Sequence, residues 1–149
     1  MAELDETDRR ILSALSQDGR MSMRTLAESL HISRANAYVR VERLTSSGVI
    51  RGFHADIDPV ASGQGTSAYL TLSLRQPEWR RVRDQLQALP GVEHIALVGG
   101  EFDVILLVRA RDNEGLRRLV LDEIHGMEGV LSTRTLLVFE EPRPHHVPG

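Results

Sequence analysis

The sequence predicts an α+β fold in two modules, three short helices followed by a β-α-β-β-α-β sandwich. Three observations carry this. Apolar residues in the first third recur at helical spacing between short turns. Further along, alternating or near-continuous apolar runs exchange with helical periods. Finally, Leu89-Pro90-Gly91-Val92 and Met127-Glu128-Gly129-Val130 stand 38 residues apart as similar phrases, each closing a helix before a strand.

The first helix starts at Asp5, a candidate N-cap, and carries Ile11, Leu12 and Leu15 inward. Its early acids suit the positive end of a helix dipole, and Asp18-Gly19 stops it. A second helix begins at Ser22 with Leu26, Ala27 and Leu30 on its inner face. After the turn His31-Ile32-Ser33, Ser33 caps a third helix whose stripe is Ala37, Val41 and Leu44. Ser46-Ser47-Gly48 ends it, Val49 to Ala55 reads as extended, and Asp58-Pro59 breaks the run. These boundaries give a domain over 1–49 and a hinge strand and linker over 50–65.

The second module, 66–141, predicts strands at Ser67–Arg75, Val92–Val98, Phe102–Ala110 and Val130–Glu140. Between them lie a helix from Trp79 to Leu89 and another capped by Asn113, with Leu116, Leu119, Val120 and Ile124 inside. Residues 142–149 form a tail. Two βαβ units folded together make a ferredoxin-like sandwich, one antiparallel sheet with two helices on one face. The uncovered face is expected to carry Leu70, Leu72, Leu106 and Val108 and to need a partner, most cheaply a second copy of the chain.

Composition narrows the function classes. The chain has 149 residues, 41% hydrophobic and 26% charged, a globular balance. It lacks cysteine, which excludes disulfides, thiolate catalysis and cysteine-bound zinc. No apolar run approaches the ~18 residues of a membrane span, and the acidic N-terminus does not resemble a signal peptide. The expectation is a soluble cytoplasmic protein. Ser13, Ser16 and Ser33 lack a His/Asp arrangement, so nucleophilic catalysis has no support. His31, His54 and His94 are isolated, and His145-His146 in the Pro-rich tail read as solvated rather than as metal ligands.

Charge is distributed unevenly. All 18 basic residues are arginine. The net charge is −3 overall, yet Arg20 to Arg51 holds 6 arginines against Glu28 and Glu42, a local +4. A basic segment on an acidic chain points to a polyanion contact confined to one region. Two short helices joined by a tight turn, the second rich in arginine, have the geometry of a helix-turn-helix. With its apolar stripe inward, the third helix turns Ala35, Asn36, Tyr38, Val39, Glu42 and Arg43 outward, with Arg34 and Arg40 at the edges. Arginine pairs bidentately with guanine and asparagine with adenine, and a serine at the helix start can hold a phosphate. Candidate DNA contacts are therefore Arg24, Ser33, Arg34, Ala35, Asn36, Tyr38, Arg40 and Arg43, with Arg40 expected on phosphate. A plain helical packing unit fits the same pattern.

Several runs resemble the Lrp/AsnC family of transcriptional regulators. They are Leu4-Asp5-x-x-Asp8-x-x-Ile11-Leu12-x-x-Leu15-x-x-Asp18-Gly19-Arg20, Leu26-Ala27, Ile32-Ser33, Val41-x-Arg43-Leu44 and Gly48-Val49-Ile50-Arg51-Gly52-Phe53. Leu97-Val98-Gly99-Gly100-Glu101-Phe102-Asp103 and Thr133-Arg134-Thr135 are similar to the family's effector-domain signatures. The resemblance spans residues 3–141. It implies an N-terminal winged helix-turn-helix and a C-terminal ferredoxin-like βαββαβ (RAM) domain. It also implies binding to double-stranded DNA, a homodimer assembling into tetramers or octamers, and no enzymatic activity or cofactor. The segment Ile50–Asp58 looks like the family's hinge strand, which pairs between chains. Effectors in the family are amino acids, and the matching positions are Val98, Gly99, Gly100, Glu101, Asp103, Thr133 and Thr135.

That site makes chemical sense for a zwitterion. Backbone N–H groups at a glycine turn hold a carboxylate, Asp103 takes the ammonium, and threonine hydroxyls fix orientation. The residues also read as a tight hairpin with Asp103 as its local hydrogen-bond partner. Two departures stand out: Arg34-Ala35-Asn36 replaces the family's usual small or proline-rich start of the reading helix, and Gly99 stands where serine is frequent. Two rival classes share the plan, an enzyme resembling sirohaem decarboxylases, with His94 as acid, and a sensor that no longer reads DNA.

Overall fold

The computed structural model describes residues 3–142, and the pair His145-His146 lies outside them. The chain divides into two compact units that meet at Asp56 and Ile57. The first holds α1 (Glu6–Gln17), α2 (Met23–Leu30) and α3 (Arg34–Ser46). The second holds β1 (Thr66–Leu74), α4 (Trp79–Ala88), β2 (Val92–Leu97), β3 (Val104–Ala110), α5 (Asn113–Arg117) and β4 (Val130–Leu137). A π-helical stretch, Arg118–Ile124, continues directly from α5.

Side chains set the helix starts in the first unit. Asp5 accepts from the Asp8 N–H at 2.8 Å while Asp8 accepts from the Asp5 N–H at 3.1 Å, a reciprocal capping box. Ser22 and Ser33 cap α2 and α3 by accepting from Thr25 N–H and Asn36 N–H. Each such cap contributes about 1 kcal/mol. His31 closes α2 in the left-handed region at φ 55°, which makes the turn into α3 tight. Ile11, Leu15, Leu26, Leu30 and Leu44 form the core beneath this turn, with Leu12, Ile32, Val41 and Ile50 packed around it. Beyond α3, residues 51–58 form no strand among the described residues; a lone extended segment has no ladder to join.

The second unit is a four-stranded antiparallel sheet in the order β2-β3-β1-β4. This is the ferredoxin-like arrangement expected of β-α-β-β-α-β. Its core lies between one sheet face and the helices, where Leu70, Leu72, Leu106 and Val108 are fully buried with Val82, Leu86 and Ile124. These four leucines and valines were expected on the uncovered face, and the structure corrects that. Register explains the error: Ala68 pairs with Val108, Leu70 with Leu106 and Leu72 with Val104, so they share the helix-covered face. The apolar run of β3 is nearly continuous, so the sequence does not reveal which alternate residues face the helices. The open face instead carries Tyr69, Thr71, Ser73, Ile105, Leu107, Arg109, Arg134 and Leu136.

The repeated phrases have a common structural purpose. Gly91 and Gly129 both take positive φ, +89° and +100°. Their carbonyls accept from Arg109 N–H at 2.7 Å and Arg75 N–H at 2.8 Å respectively, tying each helix exit to a strand. A Cβ at Gly91 would stand 2.5 Å from the Arg109 carbonyl oxygen, and one at Gly129 would stand 2.7 Å from Glu78 Cβ.

Candidate nucleic-acid interface and effector site

α3 presents a face with little apolar cover. Ser33, Arg34, Ala35, Asn36, Tyr38, Val39 and Glu42 are exposed, Tyr38 at 52% and Val39 at 64%. The Arg34 guanidinium lies over the Tyr38 ring, 5.8 Å from its centroid, so the ring steadies a cation that points outward. Ala35 is small enough to let the helix approach a surface closely. Arg24, on α2, makes a solvent-exposed i,i+4 pair with Glu28 at 2.9 Å. Such a pair opens readily for a better anion.

Arg40 and Arg43 sit differently from expectation. Arg40 Nη1 donates to Asp5 Oδ2 at 2.7 Å and to Asp8 Oδ1 at 2.8 Å, while its Nε donates to Asn36 Oδ1 at 2.9 Å. Arg43 Nη2 donates to both Asp8 oxygens at 2.6 Å. Asp8 is only 1% exposed. Burial pushes its carboxyl up, but hydrogen bonds from Arg43, Arg40 and the Asp5 N–H outweigh this and hold it at about 2. Hydrogen bonding from Arg40 lowers Asp5 as well. Two of the predicted DNA contacts, Arg40 expected on phosphate among them, are thus engaged in bracing α3 against the start of α1. Sequence reasoning placed the acids at a helix start but gave no sign of this pairing.

In the second unit, Asp103 ties the β2–β3 turn to β1. Its N–H donates to the Leu72 carbonyl at 2.9 Å, its carbonyl accepts from Val98 N–H at 2.8 Å, and Oδ2 accepts from Leu74 N–H at 2.7 Å. One carboxylate oxygen is therefore occupied by backbone. Gly99 and Gly100 are exposed, with open space where a Cβ would stand. A cavity of about 130 Å³ opens at this end of the sheet, lined by Thr71, Ser73, Glu101, Phe102, Ser132, Thr133 and Arg134. Of the predicted effector residues, Glu101 and Thr133 line it; Val98, Gly99, Gly100, Asp103 and Thr135 do not. Thr135 pairs opposite Leu70, farther along β4.

Six residues at or beside the cavity, Thr71, Ser73, Phe102, Ser132, Arg134 and His125, escaped the sequence reading. Arg134 lies between the two predicted threonines, and the strand alternation turns it to the opposite face, where it enters the cavity wall. Phe102, inside the matched glycine motif, supplies an apolar wall. His125 follows the π-helical stretch, and its Nδ1 lies 3.2 Å from Thr133 Oγ1. Among the described residues no cluster of three or more His, Cys, Asp or Glu is placed to hold a metal ion. No helix among them is long and apolar enough to cross a membrane.

Comparison with known proteins agrees with this architecture. A winged helix-turn-helix DNA-binding model matches residues 4–51, and the Lrp/AsnC ligand binding domain matches residues 67–148. The HTH-type transcriptional regulator AldR of Mycobacterium tuberculosis is 41% identical over 145 residues, covering 95% of this chain and 81% of its own. The crystal structure of MtbAldR superposes with a TM-score of 0.86 at 35% identity, covering 97% of each chain. A transcriptional regulator from Neisseria meningitidis, solved in complex with L-Met, gives 0.83 at 25% identity, covering 95% of this chain and 94% of that one. Three helices with an arginine-bearing reading face, joined to a ligand-binding sandwich, thus place the chain in a known class, and it belongs to the Lrp/AsnC family of DNA-binding transcriptional regulators rather than to any enzyme family.

Proposed function

We propose that this chain is a sequence-specific regulator that reads the major groove with α3 and answers to an amino acid bound in the sandwich unit. One observation carries the reading. Ser33, Arg34, Ala35, Asn36 and Tyr38 form an exposed surface at the start of α3 with no acidic residue among them. Asp5 and Asp8 are neutralised by Arg40 and Arg43, and the exposed Glu42 lies one turn further along. Such a surface suits base edges and phosphates together.

For the effector, the cavity offers a cation, Arg134, and an anion, Glu101, beside the hydroxyls of Thr71, Ser73, Ser132 and Thr133. That set matches the two charges of an amino acid. The Neisseria relative solved with L-Met supports the ligand class. Gly99, Gly100 and Asp103 flank Glu101 and Phe102 in sequence, and the second carboxylate oxygen of Asp103 keeps acceptor capacity. The open sheet face, with Tyr69, Ile105, Leu107 and Leu136, is the surface we assign to pairing with a second copy, and dimers assembling further into tetramers or octamers would bring effector sites together.

A thermal-shift screen across the amino acids, read beside sizing chromatography, tests this function. The expected result is stabilisation by one or a few amino acids with an accompanying change in assembly. No shift with any of them removes the amino-acid effector; a shift without DNA binding leaves only a sensor.

A further inference from the structure

We propose that Arg40 is a specificity-determining residue: held by the Asp5 and Asp8 carboxylates, it fixes the Asn36 amide and occupies its oxygen, so that the Nδ2 donors dominate what Asn36 offers the groove. This rests on the reading that α3 is the groove-facing helix. It replaces the phosphate role that sequence alone suggests for Arg40.

Arginine has donors and no acceptor, so the Asn36 atom 2.9 Å from Arg40 Nε is the carbonyl oxygen, Oδ1. An i,i+4 pair of this kind on a bare helix is weak and interchanges freely. Here the guanidinium is a rigid plane pinned at its far end, with Nη1 bound to Asp5 Oδ2 at 2.7 Å and to Asp8 Oδ1 at 2.8 Å. The Arg40 side chain is 22% exposed and Asp8 is 1% exposed, so the anchor is shielded on its Asp8 side, while Asp5 and Asn36 remain open. Pinning Nη1 sets the direction of Nε, and Nε in turn sets the amide. The relay runs from the capping box of α1 to an outward position of α3.

The consequence is a different base preference. The usual pairing of asparagine with adenine needs both Oδ1, accepting from N6, and Nδ2, donating to N7. With a cationic donor already on one lone pair of Oδ1, adenine N6–H is left the other lone pair of an oxygen whose direction Arg40 sets, a poorer acceptor than a free amide. Nδ2 alone donates well to an acceptor-only edge, which the major groove offers at guanine through N7 and O6 and at thymine through O4. Adenine keeps N7 for Nδ2 but loses the full bidentate pairing, so Asn36 in this chain favours guanine or thymine over adenine.

Selection from randomised duplexes with the full chain, followed by sequencing, tests this. The wild type should show guanine or thymine at one position, and Asn36→Ala should erase that preference alone. Arg40→Lys keeps a cation against Asp8 but has a single nitrogen, which cannot span Asp8 and Asn36 as Nη1 and Nε do; with folding checked by circular dichroism, it should move that same position toward adenine by about tenfold. Arg40→Ala should do likewise and leave the dependence of affinity on salt unchanged. Adenine or cytosine at the wild-type position overturns the proposal. So does an Arg40→Lys profile identical to the wild type, in which case the Asn36→Ala result still stands for groove reading. An Asn36→Ala profile unchanged everywhere removes Asn36 from readout and the relay with it. A loss in Arg40→Ala that is equal on every sequence, with a salt slope reduced by ~0.9, makes Arg40 a phosphate contact.

Discussion

Asp8 couples the opening motif of the chain to its reading helix. Its folded-state carboxyl is held at about 2, below the 3.8 of an unperturbed aspartate. A depressed carboxylate stabilises the fold above its unfolded pKa and loses that contribution as pH falls. Urea unfolding should therefore show the first unit weakening between about pH 4 and pH 2, and Asp8→Asn should flatten that dependence. At neutral pH, Asp8→Ala should cost about 2 kcal/mol, since it leaves two arginines without their buried partner. At the interface itself, Arg34→Ala should reduce discrimination between operator and random DNA by about tenfold in competition anisotropy. The sequence showed Asp8 as a helix-start acid and Arg34 as an outward cation, because both follow from local spacing. It hid the Asp8–Arg40 and Asp8–Arg43 pairs, which join residues 32 and 35 positions apart.

Elements were legible where periodicity was strict. α1, α2 and α3 begin at the caps their serines and aspartate announce, and the duplicated phrases correctly mark two helix exits. β3 starts at Val104 rather than Phe102 because Asp103 is drawn into bonds with Leu72, Leu74 and Val98. β4 ends at Leu137, short of the expected Glu140. The face assignment failed on β3 because a run with few polar residues gives no alternation to read. On β1 the alternation of Ala68, Leu70, Leu72 and Leu74 with Tyr69, Thr71 and Ser73 marked the buried face and was misassigned. Gly91 and Gly99 provide a contrast at this scale. Gly91→Ala should lower stability by about 2 kcal/mol or more, through the positive φ and the clash with the Arg109 carbonyl. Gly99→Ala, with open space around it, should stay within about 0.5 kcal/mol. Thermal unfolding of the two variants, side by side, checks both.

At the scale of the molecule, the two units correspond to a winged helix-turn-helix and a ligand-binding domain. Arg109 shows how the open sheet face admits a charge: its guanidinium binds Glu93, Glu141 and Ser67 at 2.7–2.8 Å, so the cation is neutralised in place. Tyr69 and Leu136 remain exposed beside it. If this face joins two copies, Tyr69→Glu should shift the sizing profile toward monomer while circular dichroism stays unchanged. An unaltered profile would exclude the face from the interface. The proposed effector site was only partly legible, since the cavity is assembled from β1, the β2–β3 turn and β4, which are distant in sequence.

The most direct test of the central claim is fluorescence anisotropy of the full-length protein on a duplex from its own upstream region, with a scrambled duplex as competitor. The account predicts a preference of about a thousandfold at about 100 mM salt, reduced by about tenfold in Arg34→Ala. Equal binding to both duplexes, or a preference untouched by loss of Arg34, would contradict groove reading by the exposed face of α3.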